Sequence, residues 1–165
     1  LAAWQYAAKH RKGPVLLSLT RQAIVTLAET KVAQLEKGAY ILAENNAKDC
    51  ELILLATGSE VSIAYDAFQE LQAAGVGVRL VSMPSWELFA AQSQTYRDTV
   101  LPPTVKKRIS IEAGITFGWQ KYVGEQGASI GVDHFGASAP AEVLYEKFGI
   151  TKSAILAKAQ GMLKP

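Results

Sequence analysis

Short hydrophobic runs recur along the chain and are separated by segments in which apolar positions repeat every three or four residues. Such runs are typical of strands buried on both faces of a parallel sheet, and the longer repeat is typical of amphipathic helices. From residue 39 onwards the sequence therefore predicts strands that alternate with helices. The predicted strands cover residues 39–44, 51–56, 77–82, 108–114 and 128–132.

The clearest predicted helix runs from Glu60 to Ala74, and Gly75 ends it. Its apolar residues, from Val61 to Leu71, recur at spacings of three and four, so one face of the helix packs on the sheet. A helix also begins in the segment MPSWELF, and Thr151 is the expected N-cap of the last helix. Further helices are predicted at 93–101, 117–123 and 140–148.

The first 38 residues do not follow this alternation. A helix with Leu1, Trp4 and Ala8 on its apolar face stops at Gly13-Pro14. The run VLLSL then predicts a buried parallel strand, which needs partner strands. A weakly periodic stretch follows and ends in a short helix, TKVAQLEK, closed by Gly38. Because the chain starts without methionine and inside a helical pattern, we expect it to be a piece of a longer polypeptide.

The order of these elements predicts the fold class. Strands that alternate with helices build a mostly parallel sheet covered by helices on both faces. The first strand of the alternating region is joined to the next by a short polar turn, NNAKD, so we expect it to run antiparallel. The predicted fold is therefore an α/β three-layer sandwich with a mostly parallel five-stranded sheet and one antiparallel strand.

Composition narrows the possible functions. The 165 residues are 49% hydrophobic and carry a formal net charge of +2, which is too small to indicate nucleic-acid binding. The two basic runs, Lys9–Lys12 and Lys106–Arg108, are short, and we expect both to be solvated surface. No apolar run approaches the ~20 residues that span a bilayer, and no signal peptide is recognisable, so we expect a cytoplasmic protein without membrane contact. The single cysteine, Cys50, is expected to be a buried or half-buried, inert thiol.

The glycine turn ATGSEV between a strand and a helix raises the possibility of a nucleotide site. A dinucleotide fingerprint needs three spaced glycines, and this turn has one. Glu60 stands where a phosphate would meet the helix N-terminus, and its charge suits the positive end of the helix dipole. We therefore favour a structural turn in which Thr57 or Ser59 caps the helix.

Other candidate residues have structural explanations. Glu112 follows a predicted strand, and either a ligand-binding carboxylate or a hydrogen-bonded loop carboxylate fits that position, the second being favoured. His10 and His134 are isolated, so a metal site is not expected. No GxSxG serine motif and no P-loop lysine pattern is present. The aromatic residues are expected in the core or an interface: Trp86, Phe89, Trp119 and Tyr122.

Arg21 stands out because it follows the run VLLSL after one residue, Thr20, at the predicted end of a buried strand. Clefts form at the carboxyl ends of parallel strands, and a guanidinium suits bidentate binding of phosphate or carboxylate. The residue chemistry alone leaves two interpretations open, an anion-binding arginine or a structural salt bridge.

Five segments in order along nearly the whole chain carry a family resemblance. They are GPVLLSLTRQ, LILLATGSEV, GVRLVSMPSWELFAAQSQTYRDTVLP, SIEAG and FGASAPAEVLYEKFGIT. Together they resemble the C-terminal part of transketolase. Glycine turns like ATGSEV also occur in the related pyruvate dehydrogenase beta subunits and deoxyxylulose phosphate synthase, whereas LTRQ and SMPSWELF favour transketolase.

The resemblance implies a domain organisation and an activity. Residues 1–22 would be the last helix and strand of the middle, pyrimidine-binding domain, residues 23–38 a linker, and residues 39–165 the C-terminal domain. Enzymes of this family transfer a two-carbon ketol unit from a ketose phosphate to an aldose phosphate, with thiamine diphosphate and Mg²⁺ or Ca²⁺, as homodimers. Arg21 matches the arginine that holds the substrate phosphate.

The resemblance also implies what this segment does not contain. The diphosphate and metal motif of the family begins Gly-Asp-Gly, which does not occur here, and the catalytic glutamate and substrate histidines lie upstream in the family. We therefore assign no catalytic, cofactor-binding or metal-binding residue and expect the segment alone to be inactive, a structural part that supports the dimer. Ala23-Ile24-Val25 departs from the family pattern of a polar residue, leucine and proline, which leaves the path of the linker open.

Two alternative functions remain open from the sequence. The first is the beta subunit of an oxo-acid dehydrogenase, which would work beside a separate alpha subunit. The second is a free-standing α/β module that binds a small molecule or a protein at its sheet edge.

Overall fold

The computed structural model describes residues 1–164, which are built around a five-stranded sheet. The strand order is β1-β3-β2-β4-β5; β1 is antiparallel to β3, and the other neighbours are parallel. This confirms the predicted mostly parallel sheet with one antiparallel strand. The strands are β1 (Tyr40–Glu44), β2 (Leu52–Ala56), β3 (Val78–Ser82), β4 (Arg108–Ile111) and β5 (Ala128–Ile130).

Helices cover both faces of the sheet, as predicted. Helices α2, α6 and α7 pack on one face, and α3, α4 and α5 pack on the other. Helix α1 packs against a short 3₁₀ helix. Within residues 1–164, no helix combines the length and the apolar character needed to cross a membrane. The bounds are α1 (Ala2–Lys9), the 3₁₀ helix (Val32–Lys37), α2 (Glu60–Ala73), α3 (Trp86–Ala90), α4 (Gln94–Val100), α5 (Gln120–Val123), α6 (Ala141–Phe148) and α7 (Lys152–Leu163).

The core consists of two hydrophobic clusters, one on each face of the sheet. Successive residues of a strand point to opposite faces, so Leu54 joins the cluster under α2 and α7, and Leu55 joins the other. The second cluster contains the aromatic residues predicted for the core. The rings of Trp86 and Trp119 meet edge to face at 5.1 Å between centroids, which confirms that prediction for these two residues.

The first strand pairs with β3, although β2 follows it in sequence. Asn45, at the end of β1, ties the turn to β3 because its backbone N–H donates to Val78 O and its Nδ2 donates to Val76 O. The turn then crosses Gly77, where a Cβ atom would lie 1.8 Å from Asp49 O. A residue without a side chain at position 77 therefore lets the chain pass the start of β3 and enter β2.

The predicted strand at Val15–Leu19 is not formed, so this prediction was wrong for the chain as it stands. No strand of residues 1–164 pairs with this segment, and Leu16 and Leu19 are 91% and 74% exposed. A strand forms only beside a neighbouring strand that pairs with its backbone N–H and C=O groups. Without such a neighbour, these groups bond to water and nothing holds the segment in strand conformation.

Two arginines are part of the folded interior. Arg79 is buried on β3; its Nε donates to Glu44 Oε1 at 2.7 Å, and its Nη1 donates to the carbonyls of Thr99 and Val100. Arg108 was predicted to be solvated surface, and this was wrong. Its guanidinium is half-buried and donates hydrogen bonds to backbone carbonyls of two neighbouring segments. The acceptors include Pro102 O, after α4, and Tyr122 O, in α5, both at 2.8 Å. Burial lowers the pKa of Arg108.

Candidate functional site

A concave surface beside the sheet lies at the carboxyl ends of β2 and β4. The chain leaves β2 toward β3 on one side and leaves β4 toward β5 on the other, so the loops after these two strands diverge. The resulting groove has a volume of about 630 Å³. Its walls are the 57–60 turn, residues 112–113, helix α6 and the segment from Leu16 to Gln22.

Glu60 closes the bottom of this groove at the N-terminus of α2. The residue is only 4% exposed, and both oxygens of its carboxylate accept hydrogen bonds. Oε1 accepts hydrogen bonds from Tyr145 OH and Ser59 Oγ, both at 2.7 Å, and Oε2 accepts one from Ala113 N at 3.0 Å. The carboxylate occupies the position at which a phosphate would meet the helix dipole, which supports the structural interpretation of the glycine turn.

The expected N-cap at this turn is not made. Ser59 occupies the N-cap position of α2, but its side chain makes no capping hydrogen bond to the helix backbone. Its hydroxyl donates instead to Glu60 Oε1. The backbone of Ser59 is helical, with φ −65° and ψ −25°, whereas a capping residue is normally extended, so its hydroxyl is not placed to accept from the N–H groups of the first turn. Thr151 does cap α7 as predicted, because its side chain accepts from Ala154 N.

Tyr145 connects Glu60 to the opposite wall of the groove. The Tyr145 hydroxyl donates to Glu60 and accepts a hydrogen bond of 2.7 Å from Gln22 Nε2. Gln22 Oε1 in turn accepts from Thr20 Oγ1, which fixes the orientation of the amide. Burial, together with the hydrogen bond to the Glu60 carboxylate, raises the pKa of Tyr145. The hydroxyl is therefore protonated at neutral pH and remains a donor to Glu60.

Arg21 lies between two residues that line the groove but does not line it itself. Thr20 and Gln22 face the groove, whereas the side chain of Arg21 is exposed outside it. The ion pairs within residues 1–164 are Arg79–Glu44 and Lys152–Glu70, so Arg21 has no carboxylate partner there. An accessible guanidinium without such a partner is free to bind an anion.

Glu112 lies at the edge of the groove in a structural hydrogen bond. Its Oε2 accepts from Trp119 Nε1 at 2.8 Å, and Trp119 is buried. A buried indole N–H needs a partner, so the carboxylate satisfies the tryptophan. This agrees with the interpretation of Glu112 as a hydrogen-bonded loop carboxylate.

The two histidines and the cysteine each have their own surroundings. His10 stacks on Tyr6, and His134 contacts the edge of Phe148. Cys50 is half-buried, as predicted, and burial raises the pKa of its thiol. Within the described part of the chain, no three His, Cys, Asp or Glu side chains are grouped so that they could hold a metal ion.

The groove does not fit a diphosphate bound through a metal ion. Glu60 would repel the diphosphate, and its oxygens are already engaged by Tyr145, Ser59 and Ala113. A magnesium-bridged diphosphate needs free oxygen ligands grouped around the cation. We therefore assign no cofactor contact to this groove.

Comparison with protein families gives a match over most of the chain. The family model described as the transketolase-like TK C-terminal domain matches residues 38–151. The chain belongs to this transketolase C-terminal domain family. The match begins at Gly38, which precedes β1, and so leaves Arg21 outside it.

Individual transketolases match a longer stretch. The chain is 47% identical over 162 residues to a chloroplastic transketolase of Craterostigma plantagineum, which covers 98% of this chain and 31% of that relative. Among solved structures, transketolase from Leishmania mexicana superposes with a TM-score of 0.90 at 41% identity, over 98% of this chain and 23% of that one. A transketolase of Pichia stipitis in complex with sedoheptulose-7-phosphate has a TM-score of 0.87 at 34% identity, with the same coverage of 98% and 23%. The chain thus spans less than a third of these relatives.

Two residues of the groove were not found from the sequence of this transketolase domain. Gln22 lies in the segment LTRQ, and Tyr145 lies on the amphipathic helix α6. Taken alone, Gln22 is an ordinary polar loop residue, and Tyr145 is an ordinary aromatic residue of a helix. Their partnership joins positions 123 residues apart, and no local pattern indicates it.

Proposed function

We propose that the chain is the C-terminal part of a transketolase, which transfers a two-carbon ketol unit from a ketose phosphate to an aldose phosphate. The observation that carries the proposal is the match over 98% of the chain to transketolase structures, which extends through Arg21 to residues outside the family model. Thiamine diphosphate and Mg²⁺ or Ca²⁺ would be bound by other parts of the enzyme and would supply the carbanion chemistry.

The role of Arg21 in this proposal is to bind the phosphate of the sugar. Its exposed guanidinium, without a carboxylate partner in residues 1–164, supports this role. A guanidinium forms two parallel hydrogen bonds to a phosphate and would fix the end of the substrate that does not react. The Pichia stipitis relative was solved with a phosphorylated ketose, which is consistent with this substrate class.

The proposed domain organisation keeps residues 1–22 as the end of a preceding domain, 23–38 as a linker and 39–165 as the C-terminal domain. The family match from residue 38 supports the second boundary. The exposed apolar residues Trp4, Leu16 and Leu19 support contact with other parts of the enzyme, since such surface is usually covered. We propose that these parts include the rest of the transketolase chain and that the enzyme is a homodimer.

Among the alternatives, the similar proteins favour transketolase over an oxo-acid dehydrogenase subunit or a free-standing module, because they carry the transketolase name. We keep the cytoplasm as the proposed compartment, although the relative from Craterostigma plantagineum is named chloroplastic. Imaging of a fluorescent fusion of the whole gene product tests the compartment.

The activity is tested on the whole polypeptide that the gene encodes. It is incubated with a ketose phosphate, an aldose phosphate, thiamine diphosphate and Mg²⁺. The sugar phosphates are then separated, and their masses are measured by mass spectrometry. We expect one product two carbons shorter than the donor and one two carbons longer than the acceptor. Consumption of the donor without an elongated acceptor, or no reaction at all, would contradict the proposal.

A further inference from the structure

The segment that carries Arg21 is attached to the rest of the fold through few polar contacts. Between Arg11 and Thr26, no backbone-to-backbone hydrogen bond is formed within the part of the chain that the structure describes. In that same part, the hydrogen bond from Gln22 Nε2 to Tyr145 OH is the one that joins residues 12–26 to residues 27–164. This bond connects the residue next to Arg21 to helix α6.

The acceptor of this bond is itself held rigidly. Tyr145 is half-buried and donates its only hydroxyl proton to Glu60, so its lone pairs face Gln22. Glu60 is almost fully buried and is fixed by Ala113 N, at the end of β4. Gln22, Tyr145 and Glu60 therefore form a continuous connection, here called the Gln22 strut, from the sheet to the segment 20–22.

We propose that Tyr145 is a positioning residue for the substrate phosphate. Through the Gln22 strut, it holds the segment 20–22 so that the side chain of Arg21 stays exposed outside the groove. This rests on the proposed role of Arg21. Thr20 and Gln22 face the groove, whereas Arg21 lies outside it. The strut therefore binds the segment on its groove side and leaves the guanidinium of Arg21 accessible. Fixing a binding group in advance lowers the entropic cost of binding.

The strut itself is tested on the 165-residue chain by trypsin, which cleaves after Arg21. Tyr145→Phe removes the hydroxyl and keeps the ring, so the core contacts of α6 are preserved. We expect cleavage of the Arg21–Gln22 bond to become about fivefold faster, the ratio that corresponds to one ordinary hydrogen bond. Gln22→Leu removes the other partner of the same hydrogen bond and should give a similar increase. Because this substitution lies next to the cleaved bond, its rate is compared with the rate of cleavage of the same variant in the unfolded chain.

The matched control is Tyr96→Phe. Tyr96 is also half-buried and donates one hydrogen bond, to Ala39 O at 2.9 Å, but it packs against the cluster on the opposite face of the sheet. It should leave cleavage after Arg21 within about twofold of the wild type, because it has no contact with the strut. Equal rates for wild type, Tyr145→Phe and Tyr96→Phe, or equal increases in the two variants, would overturn the strut.

The consequence for binding is tested in the whole gene product by kinetics. We expect Tyr145→Phe to raise KM for a ketose phosphate about fivefold and to leave kcat and the KM of an unphosphorylated ketose unchanged. In an Arg21→Ala background, the same substitution should have no further effect. A general structural defect would instead change both substrates together and would overturn the inference.

The two proposals fail in different ways. If Arg21→Ala raises KM for the ketose phosphate and Tyr145→Phe does not, the positioning role is wrong and the role of Arg21 stands. If Arg21→Ala leaves that KM unchanged, the proposed phosphate site is wrong, and the positioning role with it.

Discussion

At the scale of single residues, Arg79 is a buried polar anchor of the fold. Its side chain is 11% exposed and pairs with Glu44, so it joins β3 to the antiparallel strand β1. The same guanidinium donates to the carbonyls of Thr99 and Val100, at the end of α4. One residue therefore ties a strand pair to a helix end, and removing it leaves buried acceptors without donors.

We expect Arg79→Ala to lower the free energy of unfolding by about 2–4 kcal/mol, because it leaves the Glu44 carboxylate and two carbonyls without their donor. Urea unfolding followed by circular dichroism measures this change. Lys152→Ala is the control, since Lys152 forms an ion pair with Glu70 that is about half exposed on both sides. The control should lose much less stability, because a solvent-exposed ion pair contributes little, and equal losses in the two variants would contradict this interpretation of Arg79.

Cys50 provides a prediction about reactivity. The thiolate is the reactive form, and burial raises the pKa of the Cys50 thiol, so less thiolate is present at pH 8 in the folded chain. We expect alkylation by iodoacetamide at pH 8 to be at least about tenfold slower in the folded chain than in urea. Mass spectrometry of quenched samples measures both rates, and similar rates would show that the thiol is not shielded.

At the scale of elements, Gly38 determines how the 3₁₀ helix meets β1. Its φ of 78° lies in the left-handed region, and a Cβ atom there would lie 2.2 Å from Phe89 N. Gly75, at the end of α2, has a similar φ of 80° but no atom within 4 Å of the Cβ position. A comparison of substitutions at the two glycines therefore distinguishes the cost of the left-handed φ from the cost of close packing.

We expect Gly38→Ala to lower the free energy of unfolding by about 3 kcal/mol or more, since strain and overlap with backbone atoms add. Gly75→Ala should cost about 1 kcal/mol, from the unfavourable φ alone. Thermal and urea unfolding of both variants give the comparison. A Gly38→Ala variant as stable as Gly75→Ala would mean that the junction with α3 is not tightly packed.

The elements that the sequence predicts are those whose signals are local. The five strands of the sheet and helix α2 follow from apolar runs and three-to-four repeats, because each element buries the face that its own pattern defines. The strand at Val15–Leu19 fails because its formation depends on a neighbour and not on its own residues. The partner of β1 also depends on distant residues, since Asn45 and Gly77 bring the turn past β3.

The site is predictable to a smaller extent. The sequence places Glu60 at the start of α2 and Arg21 after an apolar run, and it assigns a structural role to the first. It does not indicate that Tyr145 and Gln22 meet, because this contact joins positions 123 residues apart. It also does not indicate that Arg108 is half-buried, because a basic run has no local pattern that shows which carbonyls, such as those of Pro102 and Tyr122, the folded chain brings to it. The role of Arg21 stays a prediction based on the family resemblance.

At the scale of the whole molecule, the chain spans less than a third of the transketolases it matches, and the groove does not fit a metal-bound diphosphate. We therefore expect the 165-residue chain to show no transketolase activity and no tight calorimetric binding of thiamine diphosphate with Mg²⁺. The whole gene product, titrated in parallel, is the positive control. Tight binding by the 165 residues would show that the assignment of the cofactor site to other parts of the enzyme is wrong.

The proposed function depends above all on whether Arg21 binds the phosphate of the sugar. The most direct measurement compares Arg21→Ala with the wild type of the whole gene product, using a ketose phosphate and an unphosphorylated ketose. We expect kcat/KM for the phosphorylated substrate to fall by the equivalent of about 1.5–3 kcal/mol, the value of a charge-assisted hydrogen bond, and kcat/KM for the unphosphorylated ketose to change little. Unchanged kcat and KM for the ketose phosphate in a correctly folded variant would contradict it.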